Sequence, residues 1–168
     1  MRGDSDPADP TVLNTTVLSN FAYIDRVDLL ADLSGVCTVP AVRDELRDGV
    51  DSHRFLQSAL EVIEAGIQVA PISEPVATRE AAAVPALDAG EAQPFALAAT
   101  RNGRLVADDG DTRTVARDHG VTVVGSVGVL LAAIDAGKIE EQTADDWLST
   151  WIDETGYYVP GRDISAYL

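Results

Sequence analysis

The acidic residues between Gly90 and Arg117 have the types and spacing needed to bind a divalent metal. Glu91 opens an alanine-rich segment with helical spacing, and Asn102-Gly103 ends that helix. The apolar run Leu105 to Ala107 then predicts a buried strand. Three aspartates follow this strand: Asp108, Asp109 and Asp111. Ligands of open parallel α/β sheets bind at the carboxyl ends of strands, and a hard divalent cation is the usual way to stabilise clustered carboxylates there.

The same acidic residues have a simpler interpretation, which is helix capping. Aspartate after a strand is a common N-cap, and a glutamate in the first turn interacts favourably with the helix dipole. The choice between helix capping and metal binding depends on polar residues elsewhere in the chain. Asn14 interrupts the strand predicted over Thr11 to Leu18, where it either bonds a neighbouring loop or points into a site. Glu45 lies in a predicted helix, where a solvated surface glutamate is the simpler interpretation.

Apolar strands alternate with helical patterns along the chain. Strands are predicted over Thr11–Leu18, Val36–Val39, Ile67–Ile72, Leu105–Ala107 and Val121–Val124. The third is predicted at a sheet edge because Pro71 cannot donate to a strand ladder. The alternation indicates an α/β fold with a parallel sheet covered on both faces.

The chain has 168 residues and is 46% apolar, which suits a single globular domain. We expect a flexible lead-in over residues 1–10 and one domain over 11–168, with 143–168 forming a C-terminal helix and tail. No apolar run reaches the length of a membrane helix, and the polar N-terminus lacks a signal-peptide core. Cys37 is the sole cysteine, so no internal disulfide forms. These features favour a cytoplasmic protein.

The charge balance is the most unusual feature of the composition. The chain has 12 basic and 28 acidic residues, a formal net charge of −16. Lys138 is the only lysine, and aspartate outnumbers glutamate 19 to 9. Such a surface is usually an adaptation to high salt, and the alternative is an acidic protein that binds a basic partner. Because the Debye length falls to about 3 Å in molar salt, the charge does not exclude nucleic-acid binding.

Four polar residues occur in a recognisable order: Asn14, Glu45, Glu91 and Asp109. This order resembles that of the PIN-domain nucleases, and more closely that of their uncharacterised, often VapC-related PIN-like subfamily. The matching segments are VLNTTVLSNFA, VPAVRDEL, GEAQPFALA, LVADDGDTRTVAR and GVTVVGSVGVLLAAIDAGKI. The last two are the most specific, because they combine the acidic strand end with a Gly-Ser-Val-Gly helix start. The resemblance covers nearly the whole chain.

The resemblance implies a three-layer α/β/α sandwich with a central parallel sheet of four to five strands, and a metal-dependent endoribonuclease. It assigns the catalytic and metal-binding positions to Asn14, Glu45, Glu91 and Asp109. Asp111 is a further candidate ligand, and Thr16 and Asp108 are supporting residues. The implied cofactor is Mg²⁺ or Mn²⁺, which activates a water and stabilises charge on the phosphate. His53 and His119 have no place in this scheme and are interpreted as surface or helix-end residues.

The same resemblance implies partners. These are an RNA substrate, a small antitoxin protein that inserts a basic side chain among the carboxylates, and a second copy of the chain in a homodimer. Together with the charge, it suggests the toxin of a toxin–antitoxin pair from a salt-loving, haloarchaeal organism. No membrane partner is expected.

Asn14 departs from the family, which has an aspartate at this position. Asparagine keeps a carbonyl oxygen but loses the charge, which should weaken Mg²⁺ binding. Three explanations remain open: a natural, catalytically silent domain that binds RNA or protein, an active enzyme with a weaker site, and an engineered replacement. A flavodoxin-like or receiver-like domain is a weaker alternative, because such domains place their acidic pair after the first strand.

Overall fold

The computed structural model describes residues 8–168 and contains one five-stranded parallel sheet in the order β3-β2-β1-β4-β5. The strands are β1 (Thr11–Leu13), β2 (Val36–Thr38), β3 (Gln68–Val69), β4 (Arg104–Val106) and β5 (Thr122–Val124). Helices flank the sheet, so the predicted α/β fold with a parallel sheet of four to five strands is confirmed. Most of the predicted lead-in over residues 1–10 lies outside the described residues.

The chain divides into two compact units, Met1–Val124 and Gly125–Leu168. The first contains the sheet and seven of the helices described: α1 (Thr15–Tyr23), α2 (Asp28–Ala31), α3 (Pro40–Gly49), α4 (Leu56–Gly66), α5 (Glu74–Ala83), α6 (Ala89–Thr100) and α7 (Gly110–Asp118). Its core includes Leu13, Phe21, Phe95 and Leu105, each at most 1% exposed.

The second unit contains α8 (Ser126–Asp135) and α9 (Glu141–Thr150), followed by a π-helical turn (Trp151–Thr155) and a 3₁₀ helix (Ile164–Tyr167). Trp151 is fully buried and packs edge-to-face on Tyr157, with ring centroids 5.6 Å apart. The 3₁₀ helix is fixed to α9, because the Ile164 N–H donates to the Asp145 carboxylate at 2.5 Å. No helix in residues 8–168 is long and apolar enough to cross a membrane.

The central strand β1 pairs in parallel with β2 on one side and β4 on the other. The chain builds β1, β2 and β3 outward in one direction and then crosses back to place β4 and β5 on the other side of β1. The boundary between β1 and β4 is therefore the point where the strand order reverses. Such switch points open a crevice at the carboxyl ends of the two strands.

A strand is predicted over Thr11–Leu18, but β1 ends at Leu13, so the prediction is wrong for the residues beyond it. Helix α1 begins at Thr15 because the Asn14 side chain accepts the Val17 N–H at 3.2 Å and caps the helix. The sequence prediction failed here because β-branched residues continue past the strand end. Two other boundaries also differ from prediction. The sequence pattern predicts one helix over Asp51 to Ala65 and another over Thr114 to His119, whereas α4 begins at Leu56 and α7 begins at Gly110.

The edge position of β3 is confirmed, although Pro71 lies beyond the strand and not within it. Because proline suits the first turn of a helix, the sequence also predicts that a helix begins at Pro40, and α3 begins there.

Gly103 is required by the close approach of two backbones. The Arg104 N–H donates to the Pro10 carbonyl at 2.7 Å, which holds the segment before β1 against β4. A Cβ added at Gly103 would overlap this carbonyl and the Pro10 ring. Since the overlap is with backbone, it cannot be relieved by a side-chain rotation.

We therefore predict that Gly103→Ala lowers the free energy of unfolding by about 1–3 kcal/mol, the usual cost of overpacking. The matched control is Gly66→Ala, because a Cβ at this last residue of α4 meets nothing within 4 Å. The control substitution should leave the free energy of unfolding unchanged or raise it by up to about 1 kcal/mol. Urea denaturation measures both, and equal midpoints for the two variants would contradict the close approach.

Candidate active site

The strands at the switch point carry the first and last members of the predicted tetrad. The Asn14 N–H continues the ladder beyond β1 by donating to the Val106 carbonyl at 3.1 Å. Asp109 follows Val106 by three residues. The β1–β4 pairing therefore fixes both residues at one edge of the sheet.

Asn14 is buried, with 1% of its surface exposed. Its Oδ1 atom accepts from the Val17 N–H, so the same oxygen that would face a metal also caps α1. An aspartate at this position would cap the helix in the same way. Asn14 thus performs the capping role that an aspartate would perform, without the negative charge.

Glu45 is placed by α3 and held by a neighbour of Asn14. Its Oε1 atom accepts from the Thr15 hydroxyl at 2.6 Å. The same carboxylate lies against the first turn of α6, because a Cβ added at Gly90 would overlap Glu45 Oε1 and come within 3.3 Å of Thr15 Oγ1. Gly90 directly precedes Glu91, so the Glu45 carboxylate lies against the same first turn of α6 that carries Glu91.

Glu91 forms a capping box with Asp88. The Asp88 N–H donates to Glu91 Oε1 at 3.2 Å, and the Glu91 N–H donates to Asp88 Oδ1 at 3.0 Å. This pair of bonds fixes the Glu91 carboxylate at the start of α6. The capping interpretation and the site interpretation therefore apply to the same side chain.

Burial raises the pKa of the Glu91 carboxyl to about 7. The Asp88 N–H acts in the opposite direction, and the charges of Asp109 and Asp88 add to the increase. The nearby Asp109 side chain thus raises the Glu91 pKa beyond the effect of burial. Glu91 and Asp109 therefore lie close enough for their carboxyl groups to interact, and the Glu91 carboxyl is partly protonated near neutral pH.

The three aspartates after β4 have different environments. Asp109 caps α7, its Oδ2 atom accepting from the Thr112 N–H at 2.9 Å. Asp108 accepts from the Asn20 amide of α1 at 3.1 Å. Asp111 is exposed in the first turn of α7. The structure thus brings Asp109 to Glu91, ties Asp108 to α1 and leaves Asp111 at the surface.

Sequence reasoning missed two positioning residues, Thr15 and Gln93. The predicted hydroxyl residue was Thr16, which is exposed, whereas the Glu45 partner is Thr15. Gln93 Oε1 accepts from the Ala41 N–H at 2.8 Å, and its amide donates to Glu80 at 3.2 Å. Gln93 thereby links α3, which carries Glu45, to α6, which carries Glu91. The sequence does contain one indication of Thr15. Asparagine is a favoured N-cap, and the residue that follows an N-cap is the first residue of the helix.

A family model described as a PIN domain matches residues 10–168. The chain belongs to the PIN-domain family. No curated protein sequence matches it. PIN domains are usually metal-dependent nucleases that bind RNA or another nucleic acid. The family match does not distinguish the VapC-related subfamily.

The donor chemistry of this PIN domain fits a hard divalent cation. Glu45, Glu91, Asp109 and the Asn14 amide all offer oxygen, the ligand that Mg²⁺ and Mn²⁺ prefer. The raised Glu91 pKa reflects in part the repulsion from Asp109, which a bound cation would relieve. Within residues 8–168, no group of three or more His, Cys, Asp or Glu side chains is assembled to hold a metal ion. The contacts among the tetrad are therefore pairwise.

We predict that Glu91→Gln stabilises the fold above pH 7. Between its usual pKa of 4.5 and about 7, folded Glu91 binds a proton that the unfolded chain releases. The stability that wild-type Glu91 contributes is thus present below pH 4.5 and lost as the pH rises through 7. Glutamine keeps the acceptor of the capping box. In chelator at pH 8 the variant should gain on the order of 1 kcal/mol, after allowance for solvent screening of this half-buried group.

The measurement is urea denaturation of both proteins across pH 4.5 to 8. The exposed Glu61→Gln, on α4, is the matched control for loss of one negative charge. A constant difference between Glu91→Gln and wild type at all pH values would show that Glu91 titrates normally.

Proposed function

We propose that this PIN domain is a metal-dependent endoribonuclease whose active site is centred on the Glu91–Asp109 carboxylate pair. The observation that carries the proposal is that Asp109, at the switch point of the sheet, lies close enough to Glu91 to raise its pKa. Perturbed acidic groups at such a crevice are typical of functional sites. Glu45 and Asn14 complete the proposed site from α3 and the end of β1.

The proposed reaction is hydrolysis of an RNA phosphodiester. A water oxygen bonds to phosphorus while the bond to one ribose oxygen breaks, and that oxygen receives a proton. Mg²⁺ or Mn²⁺ bound by Glu45, Glu91, Asp109 and Asn14 Oδ1 would supply water activation and charge stabilisation. The protein's contribution is positional. The capping bonds hold Glu91 and Asp109, and the Thr15 hydroxyl holds Glu45. Asp111 remains a proposed outer ligand and Asp108 a proposed support.

Asn14 also favours a second function, a PIN-fold module that binds RNA or protein without cleaving it. The neutral amide offers weaker attraction to a cation than the carboxylate expected at this position. The two functions differ in what restoring the charge at residue 14 should do.

The remaining biological assignments rest on the subfamily resemblance and the composition. We propose a cytoplasmic toxin of a toxin–antitoxin pair, a homodimer, controlled by a small antitoxin that places a basic side chain at the Glu91–Asp109 pair. The net charge of −16 supports a salt-loving source.

We predict that Asn14→Asp cleaves single-stranded RNA in Mg²⁺ or Mn²⁺ at least tenfold faster than the chain with Asn14. The added charge strengthens cation binding, while the α1 cap is kept. The assay is gel analysis of end-labelled RNA in high KCl, with chelator abolishing cleavage. The double variant Asn14→Asp/Asp109→Asn is the control for contaminating nuclease and should be inactive. No cleavage and no metal uptake by Asn14→Asp would reject the nuclease and favour the binding module.

We further predict that Gly90→Ala lowers cleavage by the Asn14→Asp protein about tenfold or more without unfolding it. The new Cβ displaces the Glu45 carboxylate, which is the flexible end of a side chain and moves at little cost. A helical alanine offsets that cost by up to about 1 kcal/mol.

The comparison for this variant is Gly66→Ala in the same background, whose Cβ meets nothing within 4 Å. It should cleave at the parent rate. Full activity of Gly90→Ala, with an unchanged urea midpoint, would remove Glu45 from the catalytic group.

A further inference from the structure

A cavity of about 450 Å³ lies between α5, α6 and α7, beside the carboxylate site but not part of it. Its walls are largely apolar and include Ala82 and Ala83 of α5, Phe95 of α6 and Val115 of α7. This volume lies within the range of small-molecule and cofactor sites. The cavity can therefore receive a group of about the size of one nucleotide.

The charged lining of this cavity is cationic in an otherwise acidic protein. Among the described residues that line it, only Arg79 and His119 have a titratable side chain. Arg26, Arg43 and Arg162 are held in ion pairs, whereas Arg79 forms none with residues 8–168. With a net charge of −16, an arginine left without a carboxylate is available to an anion.

The His119 ring is exposed but fixed in place. Its Nδ1 atom donates to the Val115 carbonyl at 2.8 Å. The ring also packs edge-to-face on Phe95, with centroids 5.3 Å apart and planes at 71°. Phe95 is 1% exposed and cannot move aside. A planar ring held in this way is a suitable platform for stacking a nucleobase.

Helices α6 and α7 line the cavity, and the same helices carry Glu91 and Asp109 at their N-terminal ends. Phe95 lies four residues beyond Glu91, about 6 Å along α6, and Val115 lies six residues beyond Asp109, about 9 Å along α7. A ligand in the cavity would thus lie close enough to belong to the same nucleic-acid strand as a phosphate at the carboxylates.

We propose that this cavity is a nucleotide subsite for the single-stranded RNA substrate. A base stacks on His119 above the apolar wall, and Arg79 binds the phosphate attached to that nucleotide. Single-stranded RNA is recognised in this general way, by stacking of splayed bases and by contacts of basic side chains to phosphate. The proposal rests on the endoribonuclease function proposed above and adds the subsite that positions its substrate.

The test is fluorescence anisotropy with a 5′-labelled, six-nucleotide single-stranded RNA in chelator, across a series of KCl concentrations. Arg79→Gln should weaken binding roughly tenfold and reduce the salt slope by about 1. Arg54→Gln is the matched control, because Arg54 is exposed and equally free of ion pairs with the described residues. It should change affinity less than twofold.

The stacking role has its own variants. His119→Ala should weaken binding roughly tenfold, His119→Phe should restore it because it keeps a planar ring, and Ala82→Leu should weaken binding by filling the cavity. Unchanged urea midpoints establish that each variant folds.

Two failures can be told apart. If Arg79→Gln and Arg54→Gln weaken RNA binding equally and His119→Ala has no effect, while the Asn14→Asp protein cleaves RNA, the subsite is wrong and the nuclease stands. If no protein binds RNA and Asn14→Asp does not cleave it, the proposed function fails and the subsite fails with it.

Discussion

The parallel pairing of β1 with β4 is the constraint on which the candidate site depends. The strand order reverses between these strands, so no other pair of neighbours brings the chain's first and fourth strand ends together. One hydrogen bond beyond the ladder, from the Asn14 N–H to the Val106 carbonyl, extends this alignment to the candidate site residues. Asp109 then needs only a three-residue connection to reach the same edge. Helices α3 and α6 add Glu45 and Glu91 from outside the sheet.

Capping and metal binding are not competing explanations in this protein. Asn14, Glu91 and Asp109 each bond a backbone N–H at the start of a helix. A cap restricts the side chain to one rotamer, and it leaves a carboxylate with further lone pairs for another ligand. The backbone N–H groups also offset part of the repulsion between clustered carboxylates, as the Asp88 N–H does for Glu91. The caps therefore allow acidic groups to be fixed close together before any cation binds.

The sequence predicted the parallel sheet well because alternation of apolar strands and helical patterns depends on many residues at once. It predicted element boundaries and hydrogen-bond partners poorly where a single contact determines them. Asn14 ends β1 by capping, and a run of β-branched residues conceals that end. The resemblance pointed to Thr16 as a supporting hydroxyl residue, whereas the residue that bonds Glu45 is Thr15, at the first position of α1. The Gln93 link between α3 and α6 joins residues 52 positions apart and has no local signal.

Asn14 separates the requirements of folding from those of metal binding. Asparagine and aspartate are about equally good N-caps, so either residue ends β1 and begins α1. An aspartate would add a third negative charge at an edge where the Glu91 pKa is already raised by burial and by Asp109. Without a cation that charge would destabilise the fold, and with a cation it would strengthen binding. The asparagine therefore favours the metal-free protein, because it removes the charge and keeps the hydrogen bond that begins α1.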